Sequence, residues 1–180
     1  DVERDSDPYA LEMLSAILDG HDAARFTKNL VRSQRLAVSA GAGYDATARG
    51  PGLFYLSASP SAGHTVAELE TALRAEVARI AEAGVTPEEL ERAKAQLVAG
   101  EIYKLDSMFA QAMEIGQLEA VGIAHGKGKR LIEKLQQVSA EQVQAVAARY
   151  FGDDGLTVGV LDPQPLPDAP RRPQAPAGRH

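Results

Sequence analysis

Cysteine is absent from the 180 residues, which excludes disulfides, thiolate metal sites and cysteine nucleophiles and leaves the redox compartment undetermined. Tryptophan is absent too, and only four Phe and five Tyr are present, so the core must be built from Leu, Val, Ile and Ala. No apolar run approaches the roughly 20 residues of a membrane-spanning helix. A surplus of positive charge is also missing. The formal net charge is −6, which argues against general affinity for nucleic acid or an anionic membrane surface. Two short basic clusters, Lys28/Arg32/Arg35 and Lys127/Lys129/Arg130, lie near helix ends and read as solvated faces. No signal peptide is seen, but the chain starts at Asp1 rather than Met, so the lack of targeting signals carries little weight.

The usual chemical signatures are missing as well. The four histidines, His21, His64, His125 and His180, form neither H-E-x-x-H nor H-x-x-E-H, and no two are four apart, whereas zinc needs three or four converging ligands. They read as surface histidines. No G-x-S-x-G surrounds any serine, and Ser39 has no histidine near it in sequence. The stretch from Gly122 to Arg130 has glycines and lysines, but the wrong spacing for a phosphate-binding loop and no Ser or Thr after the lysine. Glu88, Glu89 and Glu91 crowd the first turn of a helix, where the helix dipole favours negative charge without any catalytic role.

What is present is a well-punctuated series of elements. A charged lead-in, residues 1–7, ends at Asp7-Pro8, a helix start; Ala10, Leu11, Leu14, Ile17 and Leu18 give that helix one apolar face, and Gly20 stops it. A second helix is expected over 22–34, with Phe26 and Leu30 inward. Residues 36–46 alternate with period two and predict a strand. Gly41 and Gly43 within it suggest a bulge or a close approach of backbone. A turn-rich loop leads to a second strand, GLFYLSAS, most simply antiparallel to the first. Thr65-x-x-Glu68, Thr86-Pro87-x-Glu89 and Ser139-x-x-Gln142 are capping boxes that open three helices. Helical character also covers Met108–Val121 and Arg130–Gln137, and Leu156–Leu161 predicts a final strand. The Pro-rich tail, residues 163–180, is expected to be disordered. The length suits one domain, residues 1–162, followed by that tail. Adjacent strands among helices predict an α+β fold, with a mixed or antiparallel sheet and a layer of helices on one side.

The segment ILDGHDAARFTKNLVRSQRLAVSAGAG resembles part of the pitrilysin/insulinase family of zinc peptidases, which includes the mitochondrial processing peptidases. VTPEELERAKAQL and VSAEQVQAVAARYF, with the strand after it, resemble later family segments in the same order. Together they cover roughly residues 8–162. The resemblance implies a domain that pairs with a homologous one around an inner chamber. One kind of domain carries zinc on H-x-x-E-H; the other lacks zinc and supplies an Arg and a Tyr that help hold the peptide substrate. This chain is similar to the second kind. Arg32 falls at the family arginine and is the candidate substrate-binding residue, but the tyrosine position holds Val38, and the usual glycine before Leu36 is Arg35. Tyr44 and Tyr55 are displaced from the tyrosine position. The resemblance therefore implies no catalytic residue, metal ligand or cofactor in this chain. Zinc is expected in a partner domain or subunit of a zinc metalloendopeptidase. The alternative is a structural or assembly scaffold descended from such a peptidase. Bacterial relatives are often exported, which points to the periplasm.

Overall fold

The computed structural model describes residues 5–48, 50–123 and 128–164, and backbone only for 128–131. Most of the lead-in, the second basic cluster, His125, His180, the core of the Gly122–Arg130 loop and nearly all of the Pro-rich tail therefore lie outside the described residues or their side chains. The element order is α1 (Asp7–Asp19), a π-helix (Phe26–Ser33), β1 (Ala37–Gly43), β2 (Tyr55–Pro60), α2 (Val66–Ala83), α3 (Pro87–Lys104), α4 (Met108–Ala120), α5 (Gly128–Gln136) and α6 (Ala140–Tyr150), then a single 3₁₀ turn at Asp153–Gly155. The α+β expectation holds, with a sheet among the described residues of only two antiparallel strands.

Helix α1 is the hub. It packs on β1, α3 and α6, and contributes Tyr9, Ala10, Leu11, Met13, Leu14, Ile17 and Leu18 to the core. An isolated two-stranded hairpin is marginal in water; here α1 covers β1 and α2 covers β2. Phe26, Leu30, Glu76, Ile80, Val143 and Val146 are the other large side chains that are fully buried. Asp7 ties the first turn of α1 to the end of α6, accepting hydrogen bonds from Tyr150 Oη at 2.6 Å and Arg149 at 3.0 Å. All three capping boxes form, each with the reciprocal pair of side-chain to backbone bonds.

Four features depart from the sequence pattern. The second helix starts at Phe26 rather than 22, because His21 Nδ1 takes the Ala23 N–H at 3.0 Å and holds residues 21–24 in a turn. It is wound as a π-helix, a form that is rare and frequent at functional sites. Asn29 anchors it by donating to Glu76 Oε1 on α2 at 3.0 Å; Arg79 donates to the same oxygen. The bulge falls at Val38, between Ala37 and Ser39, not at the glycines. Gly43 does meet the close-approach expectation: a Cβ there would stand 2.0 Å from the Tyr55 ring. Finally, Leu156–Leu161 joins no strand among the described residues, so the predicted final strand is corrected to a segment unpaired within them. Period two reports alternating faces and says nothing of whether a neighbour exists to accept the backbone hydrogen bonds.

The π-helix leaves through Arg35 at φ 54°, the one non-glycine residue with positive φ among those described. Gly is the residue that takes this conformation without a Cβ clash. Leu36 N–H then returns to Leu30 C=O at 2.9 Å, and Ser61 hydroxyl donates to the Arg35 carbonyl, locking the corner. Arg35→Gly is expected to stabilise the fold by roughly 0.5–1 kcal/mol, the relief of left-handed strain less the extra flexibility of the unfolded chain. A thermal melt checks it, and a midpoint that stays put or falls would sink the strain argument.

Candidate functional site

Two surfaces carry the groups that chemistry would use. The first is the corner between the π-helix and β1. Arg32 lies in the last turn of the π-helix, where a cation complements the negative end of the dipole. Its guanidinium is 3.5 Å from Asp22, with the Arg32 side chain 61% exposed, so this pair contributes little and leaves Arg32 available. Val38 sits at the bulge and is 68% exposed. A bulge re-aims one side chain out of the strand's alternation; at this position it presents two methyl groups, which cannot donate a hydrogen bond. Tyr44 and Tyr55 do not replace the missing hydroxyl. Tyr55 pairs with Gly43 at the far end of β1, five residues and roughly 17 Å of strand from Val38.

The second surface is a cavity of about 290 Å³ at that far end, between α1 and the hairpin. Glu12, Ser15 and Asp19 of α1 line it with Gly43, Tyr44, Asp45 and Tyr55. Ser15 hydroxyl donates to the Ala42 carbonyl at 3.2 Å, and the Ala42 N–H donates to Asp19 Oδ2 at 3.3 Å. Both backbone groups of Ala42 thus turn to α1 instead of β2, and the outer edge of β1 is closed at that residue. Burial, then the charges of Asp45 and Glu101, push the Glu12 carboxyl up to about 7, against an opposing pull from Lys104. Burial and the Glu12 charge in turn raise the Tyr44 hydroxyl. The sequence held a signal for this cavity that the apolar-face reading passed over: Glu12, Ser15 and Asp19 recur at helical spacing as a polar stripe on an otherwise buried helix.

Elsewhere the groups singled out from sequence have structural partners. His64 Nδ1 stands 3.7 Å from Glu68, and His21 caps its turn. Glu89 clamps Arg25 and closes the α3 cap, and Glu91 pairs with Lys94 at 3.4 Å. Ser39 is an exposed strand residue in register with Ser59. Among the described residues, no three His, Asp or Glu side chains converge as a metal ion would require. No described helix is long and apolar enough to cross a membrane.

The fold is shared with solved bacterial proteins. A protease from Helicobacter pylori superposes with a TM-score of 0.77 at 20% identity, over 83% of this chain and 36% of that one. The inactive peptidase domain of a candidate zinc protease from Bordetella parapertussis gives 0.74 at 19%, over 91% and 88%. A peptidase M16 inactive domain from Pseudomonas fluorescens gives 0.63 at 21%, over 83% and 35%. The chain thus spans about a third of the Helicobacter and Pseudomonas proteins. No curated protein sequence matches it. Residues 1–97 match the peptidase M16 inactive domain, more than half of the chain, from α1 through the hairpin and α2 into the first part of α3. The chain belongs to the peptidase M16 inactive domain family, and a domain of this kind implies no catalytic zinc of its own.

Proposed function

We propose that this domain pairs with a zinc-bearing homologous domain or subunit and helps to enclose and hold a peptide substrate, without performing chemistry. Family membership over residues 1–97 is the observation that carries the reading. The corner geometry supports it: Arg32 is exposed and weakly paired, free to take a peptide carbonyl or carboxylate. Arg32 is then the substrate-binding residue, and zinc belongs to the partner. Val38 favours a second reading. With no hydroxyl at the bulge, the domain lacks the group that would assist a developing oxyanion, which suits a structural or assembly scaffold with no proteolytic role.

Co-expression with a partner bearing H-x-x-E-H separates the two. Under the first reading the proteins co-purify, the mixture cleaves an extended peptide, and Arg32→Ala raises KM about tenfold with kcat little changed, as loss of uniform binding worth about 1.4 kcal/mol requires. A stable complex whose activity equals that of the partner alone, and is indifferent to Arg32→Ala, leaves the scaffold. No complex at all removes the first reading.

A further inference from the structure

The π-helix rests on an unfavourable arrangement. Glu76 of α2 is a carboxylate with only 1% exposure, and its Oε2 has no hydrogen-bond partner among the described residues. Only Oε1 is engaged: Asn29 Nδ2 donates to it from the π-helix at 3.0 Å, and Arg79 donates to it from α2 itself. A buried polar pair of this kind is weak evidence for stability, since apolar residues of similar volume in its place are often neutral or stabilising. The winding is itself a rare one. Two unfavourable features thus meet at Asn29, and stability alone explains neither.

What the arrangement sets is the turn that carries Arg32. Asn29 is gripped twice. Its side chain is held by Glu76, and its carbonyl accepts the Gln34 N–H at 2.9 Å, which closes a wide turn over residues 30–33. In ordinary α winding the Gln34 N–H would go to the Leu30 carbonyl, four residues back. Here the Leu30 carbonyl accepts the Leu36 N–H at 2.9 Å instead, the bond that brings the chain back after the left-handed turn at Arg35. Sending Gln34 to Asn29 therefore releases Leu30 for the corner. The winding also sets the direction of Arg32 around the helix axis, because a π turn holds more residues than an α turn and each advances by a smaller angle. The exposed Asp22, 3.5 Å away, is too weak a partner to fix that direction. We infer that Asn29, seated on the buried Glu76, is a positioning residue that aims Arg32 at the peptide through the π turn. The inference deepens the peptide-holding function proposed above and rests on it for what Arg32 binds.

The test compares Asn29→Leu/Glu76→Leu, which swaps the buried polar pair for an apolar one, with Glu76→Gln, which keeps an acceptor for Asn29. One readout is amide exchange at Leu36 in the chain alone. The other is KM and kcat for a quenched fluorogenic alanine peptide with the co-expressed zinc-bearing partner. The double variant is expected to keep or raise its melting midpoint. It should exchange Leu36 roughly tenfold faster and raise KM about fivefold with kcat little changed. Combined with Arg32→Ala it should raise KM no further, since it acts through that residue. Glu76→Gln should match the parent in both readouts. Should the double variant fail to fold, Asn29→Ala, which leaves Arg79 on Glu76, carries the same comparison. An unchanged Leu36 amide, an unchanged KM, or a KM penalty that multiplies with that of Arg32→Ala overturns the proposal. Arg32→Ala without effect on KM removes the holding reading and this one with it. Leu36 exchange needs neither partner nor peptide, so a failure there belongs to this proposal alone.

Discussion

Glu89→Ala is expected to destabilise the chain by about 2–3 kcal/mol, more than other surface-accessible carboxylates, because one side chain serves two elements. Glu89 Oε2 accepts the Thr86 N–H at 3.0 Å and completes the α3 capping box. The same carboxylate takes Arg25 Nε and Nη2, each at 2.8 Å, while Arg25 also reaches the Gly84 carbonyl at 3.3 Å. Losing the cap costs about 1 kcal/mol. The remainder comes from stranding a guanidinium that is only 15% exposed, which is short of the roughly 3–5 kcal/mol of a fully buried pair because Arg25 can still turn toward water. Burial raises the Glu89 pKa, but the Arg25 and Thr86 hydrogen bonds outweigh it and hold the group below its ordinary value. The clamp is therefore present above the unfolded-state pKa and lost as pH falls through the lower folded one. Glu89→Gln keeps an acceptor for Thr86 and should cost less than the alanine change. Denaturant midpoints at pH 7 measure both, and a Glu89→Ala chain within about 0.5 kcal/mol of the parent would show that the clamp contributes nothing.

Local chemistry was the legible part of this fold. A capping box needs only residues three apart, and Thr65, Thr86 and Ser139 each opened a helix as expected. The hairpin was legible because alternation and turn residues both lie within one stretch. What escaped was everything set by partners distant in sequence. Phe26 and Leu30 fit an α-helix and a π-helix equally well; Asn29 meeting Glu76, 47 residues away, anchors the wider winding. The glycines of β1 were visible, but the bulge went to Val38, beside the corner where Arg35 takes a left-handed turn. The final strand has every local mark of one and lacks only a neighbour among the described residues.

The candidate site divides in the same way. Arg32 and Val38 were found by resemblance; Arg32 lies in the last turn of the π-helix, 3.5 Å from Asp22, and Val38 at the bulge of β1. The Glu12 cavity needed α1 and the hairpin brought together. A carboxylate amid Leu11, Met13 and Leu14 was noticeable in sequence, yet its surroundings depend on Asp45 and Glu101, which are 33 and 89 residues further along the chain.

Those surroundings give the second large effect. The Glu12 pKa rises from 4.5 to about 7 in the folded chain. An acid raised on folding leaves stability untouched below its unfolded value. It lowers stability as pH climbs from about 4.5 to 7, because the unfolded chain releases a proton that the folded one retains. Above that window the loss is constant, on the order of 3 kcal/mol. Glu12→Gln keeps the shape and cannot ionise, so it should match the parent near pH 4 and exceed it by about 2–3 kcal/mol at pH 8. Denaturant midpoints across that range check the divergence, and parallel curves would refute the raised pKa. Burial is the largest cause and Asp45 the next. Asp45→Asn should therefore lower the Glu12 midpoint, followed by carboxyl NMR, while leaving it above 4.5. A midpoint that falls all the way to 4.5 would mean that charge rather than burial governs the cavity.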